Sequence, residues 1–343
     1  MTRIRLGING FGRIGRRLFR LLHNHPDIEV VAINDIAPVV TMAHLLKYDS
    51  IHGTFNGQIV ATEQDNVSFI QVDSIKVPFF SFKSPSAIPW KDYKVDLVIE
   101  SSGKFKTYEK LEGHLKAGAP KVILSVPPQD DRIKTVVLGV NEHILNPQDL
   151  IISNASCTTN NAAPMIKVVN DLCGIKQAYI STVHSYTTDQ SLHDQPHRDL
   201  RRARAAGQSI VPTTTGAAKA LTKIFPELDN LIGGCGIRVP VANGSLTDIT
   251  INVQKETDIE SINEAFKRAA SKELHHIMEY STVPLVSVDI IGNTHSCILD
   301  AEMTSVIGNM VKLIGWYDNE TGYASRLIDL TILVCRKLNQ KLH

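Results

Sequence analysis

Two short stretches carry side chains able to do covalent chemistry. SNASCTTNNAAP, residues 153–164, sets Cys157 among hydroxyls and amides, just ahead of a helical pattern in which Met165, Val168, Val169 and Leu172 share a face. ISTVHSYTTDQ, residues 180–190, delivers His184 at the end of an apolar, strand-like run, followed by Ser185, Tyr186, Thr187 and Thr188. A thiol at a helix N-terminus has its thiolate form favoured by the terminal dipole, and the thiolate is the nucleophile. Such a nucleophile needs a neighbouring base, most often an imidazole. Spacing alone leaves the pairing open, because the chain holds 13 histidines and Cys157 also reads as a small buried hydrophobe. Asn154 or Ser156 fits an N-cap, whereas Pro164 removes a helical hydrogen bond and predicts a kink. Cys173, Cys235, Cys297 and Cys335 lie in apolar or nondescript runs and read as inert.

A second constellation binds rather than reacts. RIRLGIN, residues 3–9, runs into GFGRIG, and Ile14, Leu18, Leu21 and Leu22 then recur at helical spacing. The glycines therefore lie at a strand-to-helix turn, the context in which this motif cradles a pyrophosphate. Gly10 permits the turn, Gly12 lets phosphate approach the backbone, and Gly15 lets helix and strand pack closely. The helix N-terminus adds unpaired N–H groups and partial positive charge. The next strand, IEVVAIND, ends on Asp35, where a dinucleotide fold places the carboxylate that accepts from the adenosine ribose. A 2′-phosphate there meets like-charge repulsion, so the expected cofactor is NAD rather than NADP.

The elements that must position these groups alternate. VDLVIESSG (95–103) and KVILSVP (121–127) read as further parallel strands, whose carboxyl ends are the ligand-binding side of an open sheet. The text between Thr54 and Phe82 alternates and predicts an antiparallel appendage outside the parallel core. After residue 157, KQAYISTV, LTDITINV, LVSVDII and MVKLIGWY predict a largely antiparallel or mixed sheet. Ala324, Leu327, Leu330 and Leu333 predict a final helix. The expected fold class is α/β: a Rossmann-type dinucleotide-binding domain up to residue 156, followed by an α+β catalytic domain from residue 157. The change of pattern near Cys157 puts the expected nucleophile at the cleft between them.

Bulk properties exclude several alternatives. With 343 residues, 43% hydrophobic and 21% charged, the chain is long enough for two globular domains. Its net charge of +1 supplies no field for nucleic acid or anionic membrane. No apolar run approaches the roughly 20 residues of a membrane span. The opening stretch has no signal-peptide core, so a cytoplasmic location is expected. Five scattered cysteines without a C-x-x-C pair indicate neither a disulfide framework nor a metal site.

SNASCTTN, TVHSYT, RRARAAGQSIVPTTTGAAKA, IRVP and WYDNETGY, in this order, resemble phosphorylating glyceraldehyde-3-phosphate dehydrogenases. The resemblance implies oxidation of glyceraldehyde 3-phosphate with NAD and inorganic phosphate, through a hemithioacetal and a thioester on Cys157, with His184 as base. It implies that Thr187 and Arg238 hold the substrate phosphate, that Ser156, Thr158, Thr215 and Gly216 hold the attacking phosphate, and that Arg202 reaches between them. It places Asn9, Arg13, Ile14 and Ser125 on the cofactor, Asn319 on the nicotinamide amide and Tyr323 beside its ring. It also implies a homotetramer, and that the last helix returns to the cofactor domain, which then spans 1–156 and 322–343 around a largely antiparallel catalytic domain over 157–321. Erythrose-4-phosphate dehydrogenase is the alternative of the same chemistry. The bland reading of DLRRARAAG, a solvated basic helix face, is kept for Arg201 and Arg204. Many members have a second cysteine four residues after the first; here that position is Asn161, which removes a redox switch pairing Cys157 with a thiol at that place.

Overall fold

The computed structural model describes residues 3–339 of the chain. These fold as two compact units, one of residues 3–136, 143–155 and 324–339, the other of Val137–Glu142 and Ser156–Tyr323.

In the first unit, β1 (Ile4–Asn9) leads through the glycine turn into α1 (Arg13–Leu22), and β2 (Ile28–Asn34) leads into α2 (Val39–Lys47). A small hairpin, β3 (Tyr48–Asp49) and β4 (Gly53–Thr54), precedes β5 (Ile59–Gln64), β6 (Val67–Val72) and β7 (Ile75–Phe80). Then come β8 (Leu97–Glu100), α3 (Tyr108–Lys116), β9 (Val122–Leu124), β10 (Lys134–Thr135) and β11 (Ile151–Ser153). Among the described residues these form a nine-stranded sheet in the order β10-β11-β9-β8-β1-β2-β7-β6-β5. Leu6, Ile8, Leu97, Val98, Ile99, Val122 and Ile123 are wholly buried, as near-continuous apolar strands of a parallel sheet must be. Each such side chain contributes about 1.5–3 kcal/mol through burial.

The antiparallel segment is not an appendage. β5, β6 and β7 do pair antiparallel, but β7 then pairs parallel with β2 through Ile33–Phe79 and Asn34–Phe80 and extends the core sheet. Its alternation reflects one solvated face, not detachment from the core.

In the second unit, α4 (Cys157–Cys173) is followed by β12 (Ile175–Ser185), β13 (Val211–Thr213), α5 (Ala217–Ile224), β14 (Ile232–Val239) and β15 (Ser245–Val253). Next are α6 (Ile259–Ser271), β16 (Met278–Ser281), β17 (Cys297–Asp300), β18 (Ser305–Ile307) and β19 (Met310–Tyr317). The sheet order is β13-β14-β12-β15-β19-β17-β16, with β18 on β19, and most pairs are antiparallel. Helix α7 (Thr321–Asn339) starts in this unit, but its residues 324–339, with Ala324, Leu327 and Leu330 buried, belong to the first. Val137–Glu142 belongs with the second unit because Gly139, at φ +78°, leaves room only for Leu274 and Ile277.

α4 runs through Pro164, with Met165, Ile166, Val168 and Val169 beyond it buried. Two local expectations change. LVSVDII is not a strand: Ser287–Ile290 is a turn of 3₁₀ helix, started by the Val286 N–H donating to Asp289. DLRRARAAG forms turns rather than a helix, since Asp199 takes the Arg201 N–H and the Thr213 hydroxyl and diverts the backbone from a helical ladder.

Gly15 is the tightest point of the first βα turn, where an added Cβ would overlap the Gly10 carbonyl oxygen. At an open helical site Gly→Ala gains up to about 1 kcal/mol. Here the overlap with backbone outweighs it, and Gly15→Ala is expected to destabilise by about 1–3 kcal/mol in chemical denaturation.

Candidate active site

The glycine turn is shaped as a cradle. Gly10 sits at φ +92° with its α-carbon against the Ser102 backbone, whereas a Cβ at Gly12 would meet nothing within 4 Å. Gly12 is the N-cap of α1, so that open space faces the helix N–H groups. Asp35 lies one residue past β2 and accepts from the Phe11 N–H at 2.6 Å and the Ala37 N–H at 2.9 Å. The carboxylate is thereby fixed beside the turn. Asn9 is buried, with its side chain turned to Glu100 and Asn34, and Ser125 is buried with its N–H on the Glu100 carbonyl. Ile14 is half-buried. Arg13 is paired with Asp49 at 2.8 Å. Burial alone would raise Asp49, but the His52 and Ile51 N–H groups and Arg13 hold it at about 2.

In the second unit, α4 delivers the sulfur and β12 the imidazole. Ser156 is the N-cap: its Oγ accepts from the Thr159 N–H at 3.1 Å, which starts the helix on Cys157. Cys157 Sγ lies 3.5 Å from His184 Nε2. On the far side of the ring, Nδ1 is 2.7 Å from both the Ser185 carbonyl and Arg238 Nη1, and Arg238 also donates to that carbonyl at 2.8 Å. The parallel pairing of β12 with β14 puts His184 directly beside Arg238. Burial pushes the thiol up, while Arg238 and the N–H and hydroxyl of Thr158 pull it back down. Burial and then Arg238 push the imidazole down to about 3, leaving it a neutral proton acceptor at pH 7. Burial thus works against a ready-made ion pair of the kind expected at a helix terminus, and Arg238 favours the anion on sulfur alone.

The remaining polar residues divide by what already holds them. The Thr158 hydroxyl is engaged by Tyr317 at 2.8 Å, and the same phenol reaches Thr182 at 2.9 Å. Arg202 is anchored to Asp189 at 2.6 Å and to the Thr213 hydroxyl at 2.9 Å. Thr187 is half-buried in the turn after β12, and its carbonyl accepts from the Gln190 N–H. Thr215 accepts from the Ala217 N–H, and Gly216 is the exposed N-cap of α5. Asn319 Oδ1 accepts from Ser185 at 2.8 Å and Ser245 at 3.1 Å, which fixes the orientation of its carboxamide. Tyr323 is buried in α7. Arg201 and Arg204 are exposed, and Arg204 pairs with Asp194.

Sequence reasoning passed over Tyr317 and Asp189. Tyr317 is wholly enclosed, and its ring packs edge to face with that of His184, the ring centroids 5.9 Å apart. The available signal was a phenol on an apolar strand inside WYDNE, which must find partners when buried. Asp189 stands within HSYTTDQ, where an acid among hydroxyls marks a guanidinium partner.

A helix-capped thiol against an imidazole, in a chain with a dinucleotide-type βα turn, defines a cysteine-dependent oxidoreductase. Residues 4–108 match the glyceraldehyde 3-phosphate dehydrogenase NAD binding domain, and residues 156–319 match the C-terminal domain of that family. The chain is 48% identical over 339 residues to glyceraldehyde-3-phosphate dehydrogenase 1 of Bacillus cereus, covering 98% of this chain and 99% of the relative. It is 50% identical over 335 residues to the glyceraldehyde-3-phosphate dehydrogenase of Thermotoga maritima, covering 97% and 99%. Against that of Geobacillus stearothermophilus the identity is 47% over 336 residues, again covering 97% and 99%. The chain belongs to the glyceraldehyde-3-phosphate dehydrogenase family. The open space at Gly12 and the oriented Asp35 carboxylate fit NAD.

Arg238 favours the anionic form of Cys157, so replacing it removes a thiolate-stabilising charge. In Arg238→Gln the pH midpoint for alkylation of Cys157 by iodoacetamide is expected to move upward. A downward or absent shift would contradict the role of the guanidinium.

Proposed function

We propose that this chain catalyses the phosphorylating oxidation of D-glyceraldehyde 3-phosphate to 1,3-bisphosphoglycerate, with NAD as hydride acceptor. The single observation that carries the reading is the 3.5 Å contact of Cys157 Sγ with His184 Nε2, backed by Arg238 on the opposite ring nitrogen. As base, His184 takes the tautomer in which Nδ1–H donates to the Ser185 carbonyl and Nε2 presents its lone pair to the thiol, with Arg238, which can only donate, bonded to that carbonyl rather than to Nδ1. Cys157 gives its proton to His184 as the sulfur adds to the aldehyde carbon, and His184 returns it to the carbonyl oxygen, which leaves a neutral hemithioacetal. When the hydride departs, His184 takes the hydroxyl proton and the carbon becomes a thioester on Cys157. Inorganic phosphate then attacks the thioester carbon, the carbon–sulfur bond breaks, and the sulfur leaves to be reprotonated. The thioester keeps the oxidation energy in a bond that phosphate can accept.

Arg238 and Thr187 hold the substrate phosphate in this reading, Ser156, Thr158, Thr215 and Gly216 the attacking phosphate, and Arg202 serves both anions. Planar guanidinium donors suit phosphate oxygens, and Asp189 aims that of Arg202. Because the Ser156 and Thr158 hydroxyls already have protein partners, their share depends on exchanging those bonds. NAD binds the first unit through Asn9, Gly10, Gly12, Arg13, Ile14, Gly15, Asp35 and Ser125, with Asn319 and Tyr323 serving the nicotinamide. The two units correspond to cofactor and catalytic domains. We further infer a homotetramer in the cytoplasm. Among the described residues no helix is long and apolar enough to cross a membrane.

NADH formation from glyceraldehyde 3-phosphate, measured with and without phosphate, tests the reading. Turnover should require phosphate, exceed that on erythrose 4-phosphate, and be lost in Cys157→Ser. His184→Asn should lower kcat by about 10²–10⁴-fold. Phosphate-independent turnover would remove the acyl-phosphate step. Light scattering should give four times the 37.8 kDa chain mass; a monomer would remove the tetramer.

A further inference from the structure

One fully buried acid of the first unit has no place in the thiol chemistry. Glu100 ends β8 and is fully buried, as are His114 and Trp90 behind it. An indole N–H can only donate. Trp90 Nε1 lies 3.0 Å from His114 Nδ1, so Nδ1 accepts and the ring proton sits on Nε2, donating to Glu100 Oε2 at 3.0 Å. The same oxygen accepts from Asn9 Nδ2 at 2.5 Å. Oε1 accepts from the Ser102 N–H at 2.7 Å and the Ser102 hydroxyl at 2.5 Å. Every neighbour of the carboxylate is therefore a donor.

These bonds continue across the sheet. Asn9 Oδ1 accepts from Asn34 Nδ2 at 2.8 Å, and Asn34 Oδ1 accepts from the Phe82 N–H at 2.8 Å. One polar chain thus links the carboxyl ends of β8, β1 and β2 to the segment after β7. Ser101 adds its N–H to the Asn9 carbonyl and its hydroxyl to the Gly10 carbonyl, each at 2.7 Å. The carboxyl ends of parallel strands are where an open α/β sheet receives its ligand. The turn Asn9–Gly12 is clamped on one side by Asp35 and on the other by Glu100.

We propose that Glu100 is a positioning residue for the dinucleotide, holding the Asn9–Gly12 turn and the Ser101–Ser102 segment in the geometry that receives it. His114 and Trp90 serve this by presenting a donor to Glu100. The proposal rests on the reading of the first unit as the NAD-binding unit.

Glu100→Gln keeps the shape but must set its NH₂ against the Asn9 and His114 donors or against the Ser102 N–H. Losing one hydrogen bond to a charged group predicts a weakening of NAD binding of about tenfold or more. Calorimetric titration of NAD into the wild-type chain and the variant reads this directly. The expected result is that rise in Kd with kcat at saturating NAD, the KM for the aldehyde and the alkylation rate of Cys157 all near wild type. An unchanged Kd in a folded Glu100→Gln protein would overturn the proposal, as would parallel losses in kcat and aldehyde KM that mark a general collapse. Should that variant fail to fold, Ser102→Ala decides by deleting one of the four donors: a two- to threefold weaker Kd is about what a partial loss gives, and an unchanged one overturns the proposal. Absence of NAD binding by the wild-type chain would instead bring down the cofactor reading itself.

Discussion

The second unit turns on keeping a thiol, an imidazole and a guanidinium in one buried contact although none carries charge there without cost. Desolvation disfavours the thiolate and the imidazolium, and it lowers Arg238 as well. The three are held together because each has a partner that needs no counter-ion. The sulfur sits at the start of α4 beside the Thr158 N–H, the ring nitrogen sits on the Ser185 carbonyl, and Arg238 shares that same carbonyl. The arrangement favours moving a proton between neighbours over storing separated charge. A reaction that repeatedly passes one proton between sulfur, nitrogen and a substrate oxygen fits such a site.

Around this contact the structure spends polar groups on orientation. Tyr317 braces Thr158 and Thr182 with one hydroxyl while its ring packs edge to face with His184. Ser185 and Ser245 together fix the Asn319 amide, and Asp189 holds Arg202. Their positions follow from strand register: β12 runs parallel to β14 and antiparallel to β15, which brings His184 beside Arg238 and Ser185 close to Ser245. A one-residue slip of β12 would send His184 to the opposite face. In the first unit the same economy appears in backbone form. Gly10 and Gly15 allow contacts no side chain permits, and Asp35 and Glu100 fasten the turn between them.

How far residue patterns reach can be judged from particular segments. The first βα turn was legible because its glycines are required by local contacts a few residues apart, and the start of α4 because Ser156 caps within one turn. Segments whose conformation depends on distant partners were not. The alternation of 59–80 is the same whether the hairpin hangs free or joins the core; only the pairing of β7 with β2 decides. LVSVDII has strand-like composition, yet Asp289 captures the Val286 N–H and bends the chain. Asp199 does likewise to the arginine-rich stretch.

By itself the sequence determined the class of chemistry, the two kinds of unit and the residue types available to a dinucleotide, because helix starts, glycine turns and strand periods are local and leave their mark within a few residues. Tertiary structure alone set Cys157 against His184, put Arg238 behind the ring, and gave Tyr317, Asp189 and Glu100 their partners. Those contacts span up to 159 positions of chain, as between Thr158 and Tyr317. At such separations the strand register, not the spacing of residues, sets who touches whom.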